Sequence, residues 1–216
     1  MILTYYCIIT MIIIAYLLGS IPSAVWIGKK YYGIDIREHG SKNAGTTNML
    51  RVLGRRAALP VFLLDFLKGF VAVTLTEILK YDAYINDMWL INIKIIAVFA
   101  AVLGHIFPIF AGFRGGKGVV TSAAMIALTD WRVFLLVLLA FAIVFAWKRI
   151  VSLASVVCAA LYPVFTFLFL FLAEFSGSPL PSHGEHSLAY VLFATLAAVF
   201  IGGTVLVLSL IHISEP

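Results

Sequence analysis

The sequence predicts an all-α membrane protein. It forms a single polytopic membrane domain, residues 1–216, built as a bundle of about seven transmembrane helices, one of them short, with two Gly-rich cytoplasmic loops. Three observations carry this. Hydrophobic residues make up 63% of the 216 and charged residues 12%, with a mean hydropathy of +1.09. About half of an average soluble domain is apolar, so much of this chain must be solvated by lipid. Apolar runs near the length of a bilayer span recur along the chain, and the basic residues gather on one side of them.

The first run, residues 2–26, has neither the basic start nor the small-residue cleavage site of a secretory leader, so it reads as a retained span. A polar, Gly-rich stretch, 28–56, follows. Residues 57–79 form the second span, and a short connection, 80–87, leads to the third at 89–113. After Arg114-Gly-Gly-Lys-Gly118 comes 119–129, apolar but half a span long, hence a short or re-entrant helix. Residues 131–147 make a short span, Lys148-Arg149 a tight basic turn, and 151–172 the next span. A Ser/Pro/Gly/His loop, 173–187, precedes the last span at 188–210. The sequence shows no repeat, linker or separate soluble domain.

Charge orients the bundle. With the N-terminus outside, the inner segments hold Lys29, Lys30, Arg37, Lys42, Arg51, Arg55, Arg56, Arg114, Lys117, Lys148 and Arg149. The outer ones hold only Lys80, Lys94 and Arg132, and Lys68 lies within a span. The excess of cations on one side marks the cytoplasmic face. The net charge of +5 is therefore a matter of topology and membrane lipid, with no nucleic-acid partner expected. The same arrangement brings both Gly-rich loops to one side, where they can meet.

The first loop, Gly33–Gly54, is dense in Gly, Ser, Thr and Asn, with arginines toward both ends. Glycines let backbone N–H groups turn toward an anion, and an arginine such as Arg51 grips phosphate bidentately. The second loop, Gly104–Thr121, carries Gly115-Gly116-Lys117-Gly118 ahead of a helix start near Val119. Walker spacing is absent and no strand precedes it, which excludes a phosphate-loop nucleotidase. What remains is a set of backbone donors, the point charge of Lys117 and a helix N-terminus suited to an anion. Against these stands the plainer reading of solvated loops whose charges only set topology.

Asp35-Ile-Arg, Gly40-Ser-Lys-Asn-Ala-Gly-Thr-Thr-Asn48 and Arg51-Val-Leu-Gly54 together resemble the first motif of the bacterial acyl-phosphate:glycerol-3-phosphate acyltransferases. Gly104-His-x-Phe-Pro108 with Phe113-x-Gly-Gly-Lys-Gly-Val-x-Thr121 resembles their second. Asp65-Phe-Leu-Lys-Gly69 and Trp147–Ser155 are similar to the family as well, so the likeness spans about residues 14–210. It implies a bacterial inner-membrane enzyme that moves an acyl group from acyl phosphate to the sn-1 hydroxyl of glycerol 3-phosphate. The products are lysophosphatidic acid and phosphate, at the first step of phospholipid synthesis. It also implies a functional link to an acyl-phosphate-forming enzyme and a cytoplasmic site. The substrate and phosphate ligands it assigns are Ser41, Asn43, Gly45, Thr47, Asn48, Arg51, Gly115, Gly116 and Lys117, with His105 a candidate catalytic group. Two departures stand out. Lys42 occupies a usual glycine position. The chain ends Leu208-Ser-Leu-Ile-His-Ile-Ser-Glu-Pro216 where the family has His-Arg-x-Asn-Ile, so it reads as truncated before the third motif, with 208–216 a non-native tail.

The residues fit an activated donor. None of His39, His105, His183, His186 and His212 has Asp five positions on, and no nucleophile elbow is present. Phosphate already leaves well, so positioning and charge neutralisation suffice, and a substrate phosphate can accept the proton. Asp65 and Lys68, inside the second span and on one helix face, should turn inward and read as a structural pair. Cys7 and Cys158 sit in apolar runs without metal spacing, and His183 and His186 read as solvated. No metal or cofactor is expected. The competing readings are a small-anion or phosphate transporter, disfavoured by the missing repeat, and a lipid-binding scaffold without chemistry.

Overall fold

The computed structural model describes residues 2–176 together with Thr195, Val199, Gly203 and Leu206. Apart from those four positions, the expected last span lies outside the described residues. Among the described residues all regular structure is helical. The α-helices are α1 (Ile2–Gly19), α2 (Ser23–Tyr32), α3 (Thr46–Leu53), α4 (Arg55–Leu75), α5 (Asp87–Ile106), α6 (Val119–Thr129), α7 (Trp131–Lys148) and α8 (Val151–Ser176). Four segments, Ile2–Tyr32, Arg55–Tyr81, Asn92–Ala111 and Trp131–Lys148, are long and apolar enough to cross a bilayer.

Two expected spans are corrected. The first is broken in a continuous apolar run: α1 stops at Gly19 and α2 restarts at Ser23. Pro22 has no N–H to extend α1 and disfavours helical geometry at Ile21. The Ile21 carbonyl instead accepts the Lys68 ammonium at 2.9 Å, which satisfies a polar group that lipid could not. The third span ends at Ile106, before Pro108, and the chain turns back rather than continuing to 113. The short segment holds: α6 has 11 residues, about 16 Å of helix against a hydrocarbon core of about 30 Å. Asp130 ends α6 and also caps α7, its carboxylate accepting from the Arg132 and Val133 N–H groups.

Helices α1 and α5 pack backbone to backbone through small residues. Ala15, Ala97 and Ala101 are buried there. A Cβ on Gly104 would collide with the Tyr16 carbonyl, and one on Gly19 with the Ala101 carbonyl. Close approach through small residues is how apolar helices gain packing without a hydrophobic drive between them. Gly104→Val should therefore part α1 from α5. We expect a large drop in detergent-solubilised thermal stability and aggregation on size exclusion; an unchanged melting curve would show that this contact is dispensable. A second cluster anchors the first Gly-rich loop: Ile36, Met49 and Val61 are fully buried with Ala24, Ala57 and Ala58, so α2, α3 and α4 clamp the loop from below.

Candidate active site

The first loop is shaped by its own side chains. Gly33 ends α2 in the left-handed conformation (φ 70°). The Asp35 carboxylate caps a 3₁₀ turn at Ile36–Glu38 by accepting from the Arg37 N–H. Further on, Asn48 is the organising residue. It is 1% exposed, and its amide nitrogen donates to the carbonyls of Ile36, His39 and Asn43 at 3.0, 2.9 and 3.1 Å. Its Oδ1 accepts the Ser41 N–H at 2.9 Å. Asn48, expected among the ligands, is thus committed to folding the loop. Gly40 must be glycine: its φ is +58° and a Cβ would strike Asn48 Oδ1. Lys42, at φ 56°, adopts the same left-handed region, where glycine is unstrained.

Arg37 joins this loop to the second. Its guanidinium pairs with Asp35 at 2.7 Å and donates to the Ala111 carbonyl at 2.7 Å and the Arg114 carbonyl at 3.3 Å. The hydrogen bond from Arg37 holds the Asp35 carboxyl far below the usual carboxylate range, and Asp35 in turn raises Arg37. The sequence places Arg37 in the Asp35-Ile-Arg motif and among the inner cations, but does not mark it as the residue that joins the two loops. The available signal was the Asp-x-Arg spacing, which puts a planar cation next to its own acceptor in a Gly-rich turn.

The second loop folds back onto the end of α5. The Gly115 N–H donates to the Ile106 carbonyl and the Gly116 N–H to the His105 carbonyl, both at 3.1 Å. The Ala44 N–H reaches the Gly115 carbonyl at 3.4 Å, so the two loops touch. Glycine is required by proximity: a Cβ on Gly116 would run into His105 Nε2 and one on Gly115 into the His105 carbonyl. Gly118 (φ 74°) then starts α6 with no side-chain cap, and Gly45 starts α3 likewise.

Beneath the loops lies a buried polar cluster. Lys68 Nζ is 2.8 Å from Asp65 Oδ1, as expected of an inward-facing pair. The Ser23 hydroxyl donates to Asp65 Oδ1 at 3.0 Å, and the Thr121 hydroxyl to the Asp65 carbonyl at 3.2 Å. His105 Nδ1 lies 3.5 Å from Thr121 Oγ1 and 3.7 Å from Asp65 Oδ1. A small cleft, about 180 Å³ with its opening included, is bordered by this cluster and by Ala44, Gly115 and Gly116. The His/Asp proximity that no local spacing announced is therefore made in space, across two helices.

The remaining expected ligands sit above. Lys117 is half-buried, and its pKa is lowered first by that burial and second by the charge of Arg51. Lys117 thus feels the charge of Arg51 from the other loop, and among the described residues neither cation has an acidic partner. Among the described residues, the side chains of Ser41, Asn43 and Thr47 likewise spend no hydrogen bond. No group of three or more His, Cys, Asp or Glu that could hold a metal occurs among the described residues.

The family model for glycerol-3-phosphate acyltransferase matches residues 9–212. The chain belongs to that family. Relatives include the glycerol-3-phosphate acyltransferases of Enterococcus faecalis, 44% identical over 164 residues (76% of this chain, 72% of that one), and of Fusobacterium nucleatum, 38% identical over 165 (76% and 79%). That of Bacillus cereus strain G9842 is 48% identical over 147 residues (68% and 70%). The fold is similar to crystal structures of PlsY, an integral membrane glycerol 3-phosphate acyltransferase. For its glycerol 3-phosphate form the TM-score is 0.71 at 35% identity, covering 93% of this chain and 87% of that one. For its lysophosphatidic acid form the TM-score is 0.68 at 34% identity, with the same coverage. This acyltransferase is accordingly a multi-pass membrane protein.

Proposed function

We propose that this chain transfers a fatty acyl group from acyl phosphate to the sn-1 hydroxyl of glycerol 3-phosphate on the cytoplasmic side of a bacterial inner membrane. The observation that supports the substrate assignment is that the two Gly-rich loops touch through Ala44 and Gly115 and carry Arg51 and Lys117, neither with an acidic partner among the described residues. Cations without a carboxylate partner suit an anion, and a phosphate monoester fits. Ser41, Asn43 and Thr47, with the backbone of Gly45, add neutral donors beside it, whereas Gly115 and Gly116, expected as ligands, spend their N–H groups on the Ile106 and His105 carbonyls and instead hold the second loop in place. Asn48 supports them from below.

The hydroxyl oxygen attacks the acyl carbonyl carbon, the bond from that carbon to the phosphate oxygen breaks, and inorganic phosphate leaves. The proton passes to a phosphate oxygen. His105 does not need to serve as base, because it is buried with Nε2 against Gly116. The clustering of basic residues in the two loops and in the turn Lys148-Arg149 supports the cytoplasmic orientation. An enzyme that forms acyl phosphate is the natural source of the donor.

Protein in lipid nanodiscs, given palmitoyl phosphate and labelled glycerol 3-phosphate, should form lysophosphatidic acid and release phosphate. The same amount of palmitoyl-CoA should give far less product, since a thioester carries no phosphate at its acyl carbon for this site to hold. Equal rates with the two donors would overturn the donor assignment; anion flux without product would make the chain a transporter.

A further inference from the structure

The ion pair of Asp65 and Lys68 is 2% and 5% exposed and stands apart from the cations assigned to phosphate. A desolvated pair is costly to keep, and well-packed apolar residues of like volume are often as stable or more so. Its contacts indicate what it does instead. Each partner reaches a second element that borders the cleft: Lys68 the Ile21 carbonyl at the break in the first span, Asp65 the Ser23 hydroxyl at the start of α2. The Asp65 carbonyl holds the Thr121 hydroxyl just past the second loop. Thr121 leads to His105 Nδ1, and the His105 carbonyl receives the Gly116 N–H. The Asp65 carboxylate itself lies 3.7 Å from His105 Nδ1, so contacts run from the pair through α5 to the backbone beside Lys117.

We propose that Asp65 and Lys68 are positioning residues for acyl transfer. They fix the break in the first span and, through the approach of the Asp65 carboxylate to His105 Nδ1, the ring of His105 against which Gly116 is seated opposite Ala44. They set kcat, while Arg51 and Lys117 set the affinity for glycerol 3-phosphate. This rests on the acyltransferase reading above and adds to it two residues that touch no substrate.

The test is the neutral, near-isosteric double variant Asp65→Asn/Lys68→Met. Asparagine keeps an acceptor for Ser23, and neither charge is left alone, so the thermal midpoint should hold or rise. Kcat should fall about a hundredfold, the usual consequence of misplacing reacting groups by about an ångström, with KM for glycerol 3-phosphate unchanged. A folded double variant with wild-type kcat, or a loss confined to KM, overturns the proposal. If the double variant does not accumulate, Ser23→Ala decides: it removes one hydroxyl from the set, and wild-type kcat in that variant overturns the proposal as well. A wild-type chain that forms no product overturns the acyl-transfer reading and this proposal with it. Normal turnover beside an equally active double variant overturns this proposal alone.

Discussion

Arg51→Ala and Lys117→Ala should each lower kcat/KM for glycerol 3-phosphate about a hundredfold, since a charge-assisted hydrogen bond to a charged group is worth about 1.5–3 kcal/mol. Neither side chain has an acidic partner among the described residues, so neither deletion leaves a buried charge stranded, and the protein should fold normally. Arg51 is exposed on the last turn of α3, which makes it a sharp discriminator. Near-normal turnover of a folded Arg51→Ala protein would reduce Arg51 to a topology charge. Lys42→Gly serves as the contrast. Lys42 is exposed at φ 56°, glycine relieves that strain, and activity should stay unchanged.

The same pair gives a pH signature. Lys117 ionises below the ordinary lysine value because it is partly buried and, secondarily, because of the Arg51 charge. Its positive charge is present below its own pKa and is lost as pH rises through it. Binding of the anionic substrate should follow: KM should climb on the alkaline side at a lower pH than for a solvent-exposed lysine. Bound phosphate favours the charged form and moves the loss upward. Lys117→Arg, which keeps its charge throughout, should flatten the alkaline limb; an alkaline limb of the same shape in that variant would show that another group titrates there.

The loops, the short α6 and the inward-facing Asp65–Lys68 pair were legible because each rests on local chemistry. Gly118 and Asp130 bracket α6 as plain boundary signals, and two ionisable residues three apart in an apolar run must turn away from lipid. The break at Ser20–Pro22 was not, because periodicity in an all-apolar run says nothing about interruption and the signal is a single proline. Asn48 read as a donor to substrate because its residue type is equally apt for either task; only the placement of the Ile36, His39 and Asn43 carbonyls commits it inward. The approach of His105 to Asp65 joins residues on different helices, and sequence spacing cannot report it. What remained legible there was weaker: both are ionisable groups in apolar runs, and such groups seek each other.

Gly116→Ala should reduce turnover about a hundredfold, the cost expected when reacting groups are displaced by about an ångström. The reason is contact and not backbone strain. An added methyl would meet His105 Nε2 and approach the Ala44 carbonyl to 3.0 Å, so the second loop would have to lift away from both α5 and the first loop. Lifting it breaks the Gly116 N–H to His105 carbonyl bond and moves the adjacent Lys117 away from Arg51. Gly115→Ala should be at least as damaging, because its methyl would be driven into the His105 and Ile106 carbonyls. Gly112→Ala separates geometry from strain. Gly112 has φ +63° but open space around a Cβ, so alanine there costs about 1–2 kcal/mol of local strain and displaces nothing near the cleft. It should lower stability modestly and leave kcat/KM close to wild type. The comparison is read from steady-state rates on protein whose helicity matches wild type by circular dichroism. If Gly116→Ala proves as active as Gly112→Ala, the second loop tolerates displacement, and the close fit between Gly116 and His105 has no part in holding the phosphate.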